Sequence, residues 1–112
     1  MEYDANLIRS VAEPVILTLV AERAMYGYEI IKLVNERTDG KFAWKEGTLY
    51  PCLHRLEGEQ LIQSEWVQQD NGRNRKYYHI TRKGKGVMKD KVEEWSSFVS
   101  AVQAILLTRK DA

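Results

Sequence analysis

A chain of 112 residues with 44% apolar and 29% charged side chains has the size of one ordinary globular domain and enough apolar surface to bury a core. No apolar run approaches the ~18 residues needed to cross a bilayer, and Met1-Glu2-Tyr3-Asp4 opens without a basic-then-apolar leader, so no membrane partner is expected and the expected location is cytoplasmic. One cysteine, Cys52, and two histidines, His54 and His79, exclude an internal disulfide and match no zinc-ligand spacing, so neither metal nor cofactor is expected.

The net charge of +1 conceals an uneven distribution. Residues 1–40 carry seven acidic side chains against four basic ones. Residues 70–91 reverse this: Arg73, Arg75, Lys76, Arg82, Lys83, Lys85, Lys89 and Lys91 stand against only Asp70 and Asp90. A local excess of that kind is the footprint of a phosphate-binding surface, or else of a solvated lysine-rich helix end.

In chain order, Leu7, Ile8, Val11, Val15, Ile16, Leu19 and Val20 recur at three- and four-residue steps and predict an amphipathic helix over residues 5–22. Pro14 removes one backbone donor, which predicts a kink or a helix restarting with Pro14 in its first turn. A turn at Met25-Tyr26-Gly27 leads to a second helix over about 27–37, with Ile30, Ile31 and Val34 inward and Asp39-Gly40 at its end. After an extended stretch from Phe42 to Lys45, Leu49, Leu53 and Leu56 mark a third helix over about 47–59. Residues 64–69 and 74–80 read as two strands, and Asn71-Gly72 between them is a hairpin turn because both residue types tolerate positive φ. Thr81 is placed to cap a last helix over about 82–109.

Helix, helix, helix, hairpin, helix is the order of a mainly α (α+β) winged helix-turn-helix with a two-stranded wing and a long C-terminal dimerisation helix. The expected division is a DNA-binding domain over 1–81 and the dimerisation helix over 82–112. In that helix Met88, Val92, Trp95, Val99, Val102 and Leu106 step by four and three, with Phe98 and Ile105 widening the seam. At 1.5 Å per residue it spans roughly 40 Å, more than a small domain needs for its own core. The seam predicts a homodimer; the alternative is a helix folded back on its own domain, with the first helix supplying part of the cover.

Tyr26-Gly27-Tyr28-Glu29-Ile30, Gly47-Thr48-Leu49-Tyr50-Pro51 with Leu53-His54-Arg55-Leu56-Glu57, and Gly72-Arg73 through Arg75-Lys76-Tyr77-Tyr78 to Ile80-Thr81 together resemble the PadR family of bacterial transcriptional regulators. The resemblance covers residues 10–90 in unbroken order. It implies a DNA-binding regulator, and the missing larger C-terminal domain makes the chain similar to the short subfamily, whose members end in one dimerisation helix. Pro14 and Asn74 depart from the pattern.

On this reading the third helix enters the major groove of double-stranded DNA. Thr48 and the Tyr50 hydroxyl meet phosphate or base edges, Pro51 a thymine methyl and Arg55 a phosphate, with His54 and the preceding Lys45 beside them. Tyr50 also reads as a core aromatic beside the second helix. Arg73, Arg75 and Lys76 of the wing reach phosphates or a minor groove. Two such helices about a dimer axis predict a palindromic operator with half-sites one helical turn apart, roughly 34 Å, or a multiple of it. Trp95 reads either as dimer packing or, as the resemblance to multidrug-sensing members implies, as a platform for a flat apolar or aromatic effector.

No phosphate-binding glycine loop, GxSxG elbow, metal-ligand spacing or carboxylate pair points to an enzyme. Cys52 reads as a small core residue or as a redox sensor within the DNA-reading helix. A winged-helix module that binds protein instead of DNA is the alternative from another class. With no surface evident for recruiting polymerase, repression is the expected mode.

Overall fold

Much of the apolar stripes of the first three helices is buried, whereas Leu7 of the first helix and most of the stripe of the last stay exposed. The computed structural model describes residues 3–108. Among them the order is α1 (Ala5–Glu22), β1 (Met25–Tyr26), α2 (Gly27–Arg37), α3 (Glu46–Gly58), β2 (Ile62–Gln68), β3 (Asn74–Ile80) and α4 (Arg82–Leu106). Arg109, the expected end of the last helix, lies outside the described residues.

Ile16, Leu17 and Val20 of α1, Ile30 and Val34 of α2, and Leu49, Leu53 and Leu56 of α3 meet in one core closed by Met25, Ile62 and Tyr78. Each such aliphatic side chain contributes about 2 kcal/mol through its removal from water. Asp4 caps α1 by accepting the Asn6 N–H at 2.8 Å. The helix does not restart at Pro14: it begins at Ala5 and continues through the proline, leaving the Ser10 carbonyl without its intrahelical donor.

Met25-Tyr26, expected as a turn, forms a two-residue strand. It pairs with β3 through Met25↔Tyr78 and Tyr26↔Tyr77, giving an antiparallel sheet in the order β1-β3-β2. The wing hairpin therefore has a third strand on its flank, and β2 begins at Ile62, earlier than Ser64. Its turn differs in detail too. The Gly72 N–H bonds to the Gln69 carbonyl at 2.9 Å, and only Gly72, at φ +83°, takes the left-handed conformation. Asn71 instead accepts the Arg73 N–H on its side chain at 3.0 Å.

Two contacts join the helices to the sheet and the loop. Thr81 accepts the Gly84 N–H at 2.9 Å, as its position predicts, and its hydroxyl donates to the Gln60 carbonyl at 2.7 Å. Asn35 of α2 grips the segment before α3 like a strand partner: its amide donates to the Trp44 carbonyl at 3.1 Å and accepts the Trp44 N–H at 2.8 Å. The Trp44 side chain is buried, and the residue after it, Lys45, precedes the first turn of α3. Beyond Met88, α4 runs beside α1, with Lys91 Nζ 3.2 Å from Glu13 Oε2, and the described chain measures 67 × 31 × 20 Å.

Candidate nucleic-acid interface

With Leu49, Cys52, Leu53 and Leu56 turned inward, helical geometry sorts the remaining α3 side chains onto two outer flanks. Thr48, Pro51 and Arg55 share one flank at three- and four-residue steps, and Tyr50 and His54 share the other. All five are exposed, as is Lys45, the residue before the first turn. No side chain caps α3, whose first turn carries Glu46; the Thr48 N–H bonds to the Lys45 carbonyl at 3.0 Å, and the Glu46 and Gly47 amides stand at the positive end of the dipole.

Tyr50 meets both expectations in part. A Cβ built on Gly27 would stand 2.3 Å from the Tyr50 hydroxyl oxygen, so the ring end lies on the first residue of α2, while Tyr50 remains 37% exposed. Gly27 is thus the residue that lets α2 and Tyr50 approach.

Arg55 is not a free cation. Its Nε donates to Glu13 Oε1 at 3.0 Å, and Glu13 Oε2 lies 3.2 Å from Lys91 Nζ. One carboxylate on α1 therefore links α3 to α4. Burial pulls the Glu13 carboxyl upward, but donation from Arg55 and Lys91 outweighs it and holds the group below its ordinary range. Sequence reading missed Glu13, because its partners lie 42 and 78 positions away in a chain with no sequence-local signal linking them.

The three wing cations are held differently. The Arg75 guanidinium stacks 4.4 Å from the Tyr26 ring centroid. Lys76 Nζ sits 3.9 Å from Glu57 Oε1 and within 6 Å of the Trp66 and Tyr78 rings. Arg73, at the turn, is exposed with no side-chain partner among the described residues. Trp66, 67% exposed on the same wing, was not among the expected site residues.

Along α4, Val92, Trp95, Phe98, Ile105 and Leu106 are exposed, Phe98 at 65% and Ile105 at 79%. Val99 and Val102 are half-buried, facing Leu7, Val11 and Pro14 of α1 across an apolar groove of about 670 Å³ that Trp95 also lines. Met88, the first residue of the expected seam, is half-buried. With Val87 it packs against the core of its own domain, because Gly84 draws the start of α4 onto the sheet. The fold-back alternative therefore holds for the first turns of the helix and the α1 side, while a wide apolar stripe remains open.

Cys52 is 2% exposed, and burial pushes its thiol up to about 11. It is a core residue, and the redox-sensor alternative loses the accessible thiolate it needs. No described helix is long and apolar enough to cross a membrane.

A three-helix core, a basic β-hairpin and an uncapped, polar-faced α3 define a winged-helix protein of the DNA-binding class. Residues 16–90 match the model of the Transcriptional regulator PadR-like family, and the chain belongs to that family, whose members are non-enzymatic DNA-binding transcriptional regulators. A solved transcriptional regulator from Clostridium thermocellum is 34% identical, with a TM-score of 0.84 over 93% of this chain and 98% of that one. A PadR family transcription regulator from Clostridium difficile is 37% identical, with a TM-score of 0.73 over 88% of this chain and 99% of that one. An uncharacterised protein from Lysinibacillus sphaericus is 38% identical over 82% of this chain and 84% of its own length.

Proposed function

We propose that this regulator is a cytoplasmic homodimeric repressor of the short, LmrR-like subfamily that occupies a palindromic operator in its target promoter. The observation that carries the dimer is the apolar stripe of α4, in which Val92, Trp95, Phe98, Ile105 and Leu106 are exposed beside the half-buried Val99 and Val102. Stripes of that width are stable in water only when covered. Residues 1–81 then form the DNA-binding domain and 82–112 the dimerisation helix.

In this assembly the two α3 helices enter successive major grooves. Thr48, Tyr50, Pro51 and His54 read base edges, Lys45 and Arg55 hold phosphates, and Arg73, Arg75 and Lys76 add backbone affinity from the wing. A flat apolar or aromatic effector stacks on Trp95 and shifts DNA affinity by preferring one dimer geometry.

The test is a mobility shift of the purified protein on promoter fragments across a salt series, with Arg73→Ala/Arg75→Ala/Lys76→Ala as the comparison and sedimentation to follow the dimer. A specific shift that weakens with salt and disappears in the triple variant, while the dimer persists, is the expected result. No shift on any fragment at low salt, with salt-insensitive capture of a protein partner, overturns it in favour of an interaction module.

A further inference from the structure

The flank of α3 that carries Thr48, Pro51 and Arg55 does not end at solvent. It forms one wall of a cavity of about 530 Å³ whose other walls are the first half of α1 and the 41–45 segment. Four cations line it, Arg9 from α1, Lys41 and Lys45 from the segment before α3, and Arg55 from α3, and no acidic side chain is among the lining residues. The uncapped N-terminus of α3 opens beside it, adding backbone donors and a positive dipole end. Of the four, Arg55 alone has a carboxylate partner, Glu13; Arg9, Lys41 and Lys45 form no salt bridge among the described residues, so an anion in the concavity meets three cations that lack one.

Arg55 is prepared for such an anion. Its Nε is committed to Glu13 at 3.0 Å, and Glu13 is braced on its other oxygen by Lys91. Neither terminal guanidinium nitrogen bonds to an oxygen among the described residues, the Cys52 thiol lies within reach of the guanidinium, and the side chain is 50% exposed. A guanidinium tethered by Nε presents its remaining fork in a fixed direction, the geometry that grips a phosphate with two parallel bonds.

We propose that the α1–α3 cavity is a phosphate seat for the DNA backbone, in which Arg9 and Lys41 join Lys45 and Arg55, and in which Glu13 is the positioning residue that aims Arg55. The seat rests on the DNA-binding reading above and extends it to two cations outside α3 and the wing. It also gives the C-terminal helix a hold on the DNA-reading helix, since Lys91 braces the carboxylate that orients Arg55.

The experiment is DNA binding by the full chain across a salt series, comparing wild type with Arg9→Ala/Lys41→Ala, Glu13→Ala, Glu13→Gln and Arg55→Ala, with thermal unfolding of each variant as a control for folding. Arg9 and Lys41 are exposed, so their double variant is expected to fold normally, to bind DNA roughly tenfold or more weakly, and to lower the slope of log K against log salt by about one for each phosphate left without its cation. Glu13→Ala is expected to weaken binding nearly as much as Arg55→Ala, the two together little more than either, and Glu13→Gln to recover part of the loss through its retained acceptor. Wild-type binding with an unchanged slope in Arg9→Ala/Lys41→Ala overturns the seat and leaves the wing and α3 reading intact. Additive losses from Glu13→Ala and Arg55→Ala overturn the positioning role. Calorimetric titration with inorganic phosphate separates the sources: saturable binding abolished by Arg9→Ala/Lys41→Ala, with DNA affinity unchanged, assigns the seat to a small anion instead. Wild type that binds no DNA fails the underlying reading, and the DNA seat with it.

Discussion

Gly84 of α4 lies against the carbonyl of Leu61 so closely that a Cβ built on it would stand 2.0 Å from that oxygen. The neighbouring hydrogen bond from the Thr81 N–H to the same carbonyl, 3.0 Å, pins the junction from the other side. The oxygen belongs to the backbone and has no rotamer by which to escape. Gly84→Ala is therefore expected to destabilise the protein by about 2 kcal/mol or more, at the upper part of the range for overpacking. The check is the urea midpoint at fixed protein concentration, and a variant as stable as wild type contradicts the close approach.

Gly27 makes the opposite case. The atom a Cβ would meet there is the far end of the Tyr50 side chain, which can swing out, and alanine is otherwise a better helix residue than glycine. Gly27→Ala is expected to cost less than about 1 kcal/mol of stability while displacing Tyr50 from its seat and weakening operator binding several-fold. Paired denaturation and mobility-shift measurements separate the two effects.

Asn35 satisfies both backbone groups of Trp44. Asn35→Ala leaves a donor and an acceptor unpaired in a part-buried place, at an expected cost of about 1–3 kcal/mol. Asn35→Asp keeps the acceptor but turns a carboxylate oxygen toward the Trp44 carbonyl in place of the donor, so its loss should be at least as large. Because Lys45, the residue after Trp44, precedes the first turn of α3, faster hydrogen exchange at Trp44 and in the first turn of α3 is expected in both variants.

Two groups give pH dependence of opposite sense. Glu13 titrates below its ordinary 4.5 in the fold, so its contribution is fully present above that value and is lost as pH falls through the depressed one. Glu13→Gln should be less stable than wild type by about 1 kcal/mol or less at neutral pH, with the difference closing on acidification. Cys52 titrates at about 11 against an ordinary 9.0, so the stability tied to its protonation is complete below pH 9.0 and declines between the two values. A thiol reagent at pH 8 should modify the folded protein on the order of a hundredfold more slowly than the denatured chain.

If the α4 stripe is the dimer contact, a charge at its most exposed positions should break the dimer without unfolding the domain. Phe98→Glu/Ile105→Glu is expected to raise the dimer dissociation constant by on the order of a hundredfold or more, since each carboxylate would be desolvated against apolar side chains. Sedimentation velocity reads the change. An unchanged dimer places the interface elsewhere.

Periodicity in the sequence determined the helices, the hairpin, the inward faces of α2 and α3 and part of that of α1, where Leu7 is exposed and Leu17 buried, because burial of an apolar stripe is a local pattern repeated every three or four residues. The same spacing showed the apolar face of the last helix, and the local count of charges showed the basic wing. What it left open were relationships between distant positions. The two residues of β1 are too few to show a period and become a strand only because β3 passes beside them. Gly27 and Gly84 carry no side chain to betray what lies against them. Whether Arg55 is free or tethered depends on Glu13, and whether Glu13 is braced depends on Lys91, three residues brought together only when α1, α3 and α4 pack. Charge can be counted along a chain, but its pairing is decided by distance in the folded one.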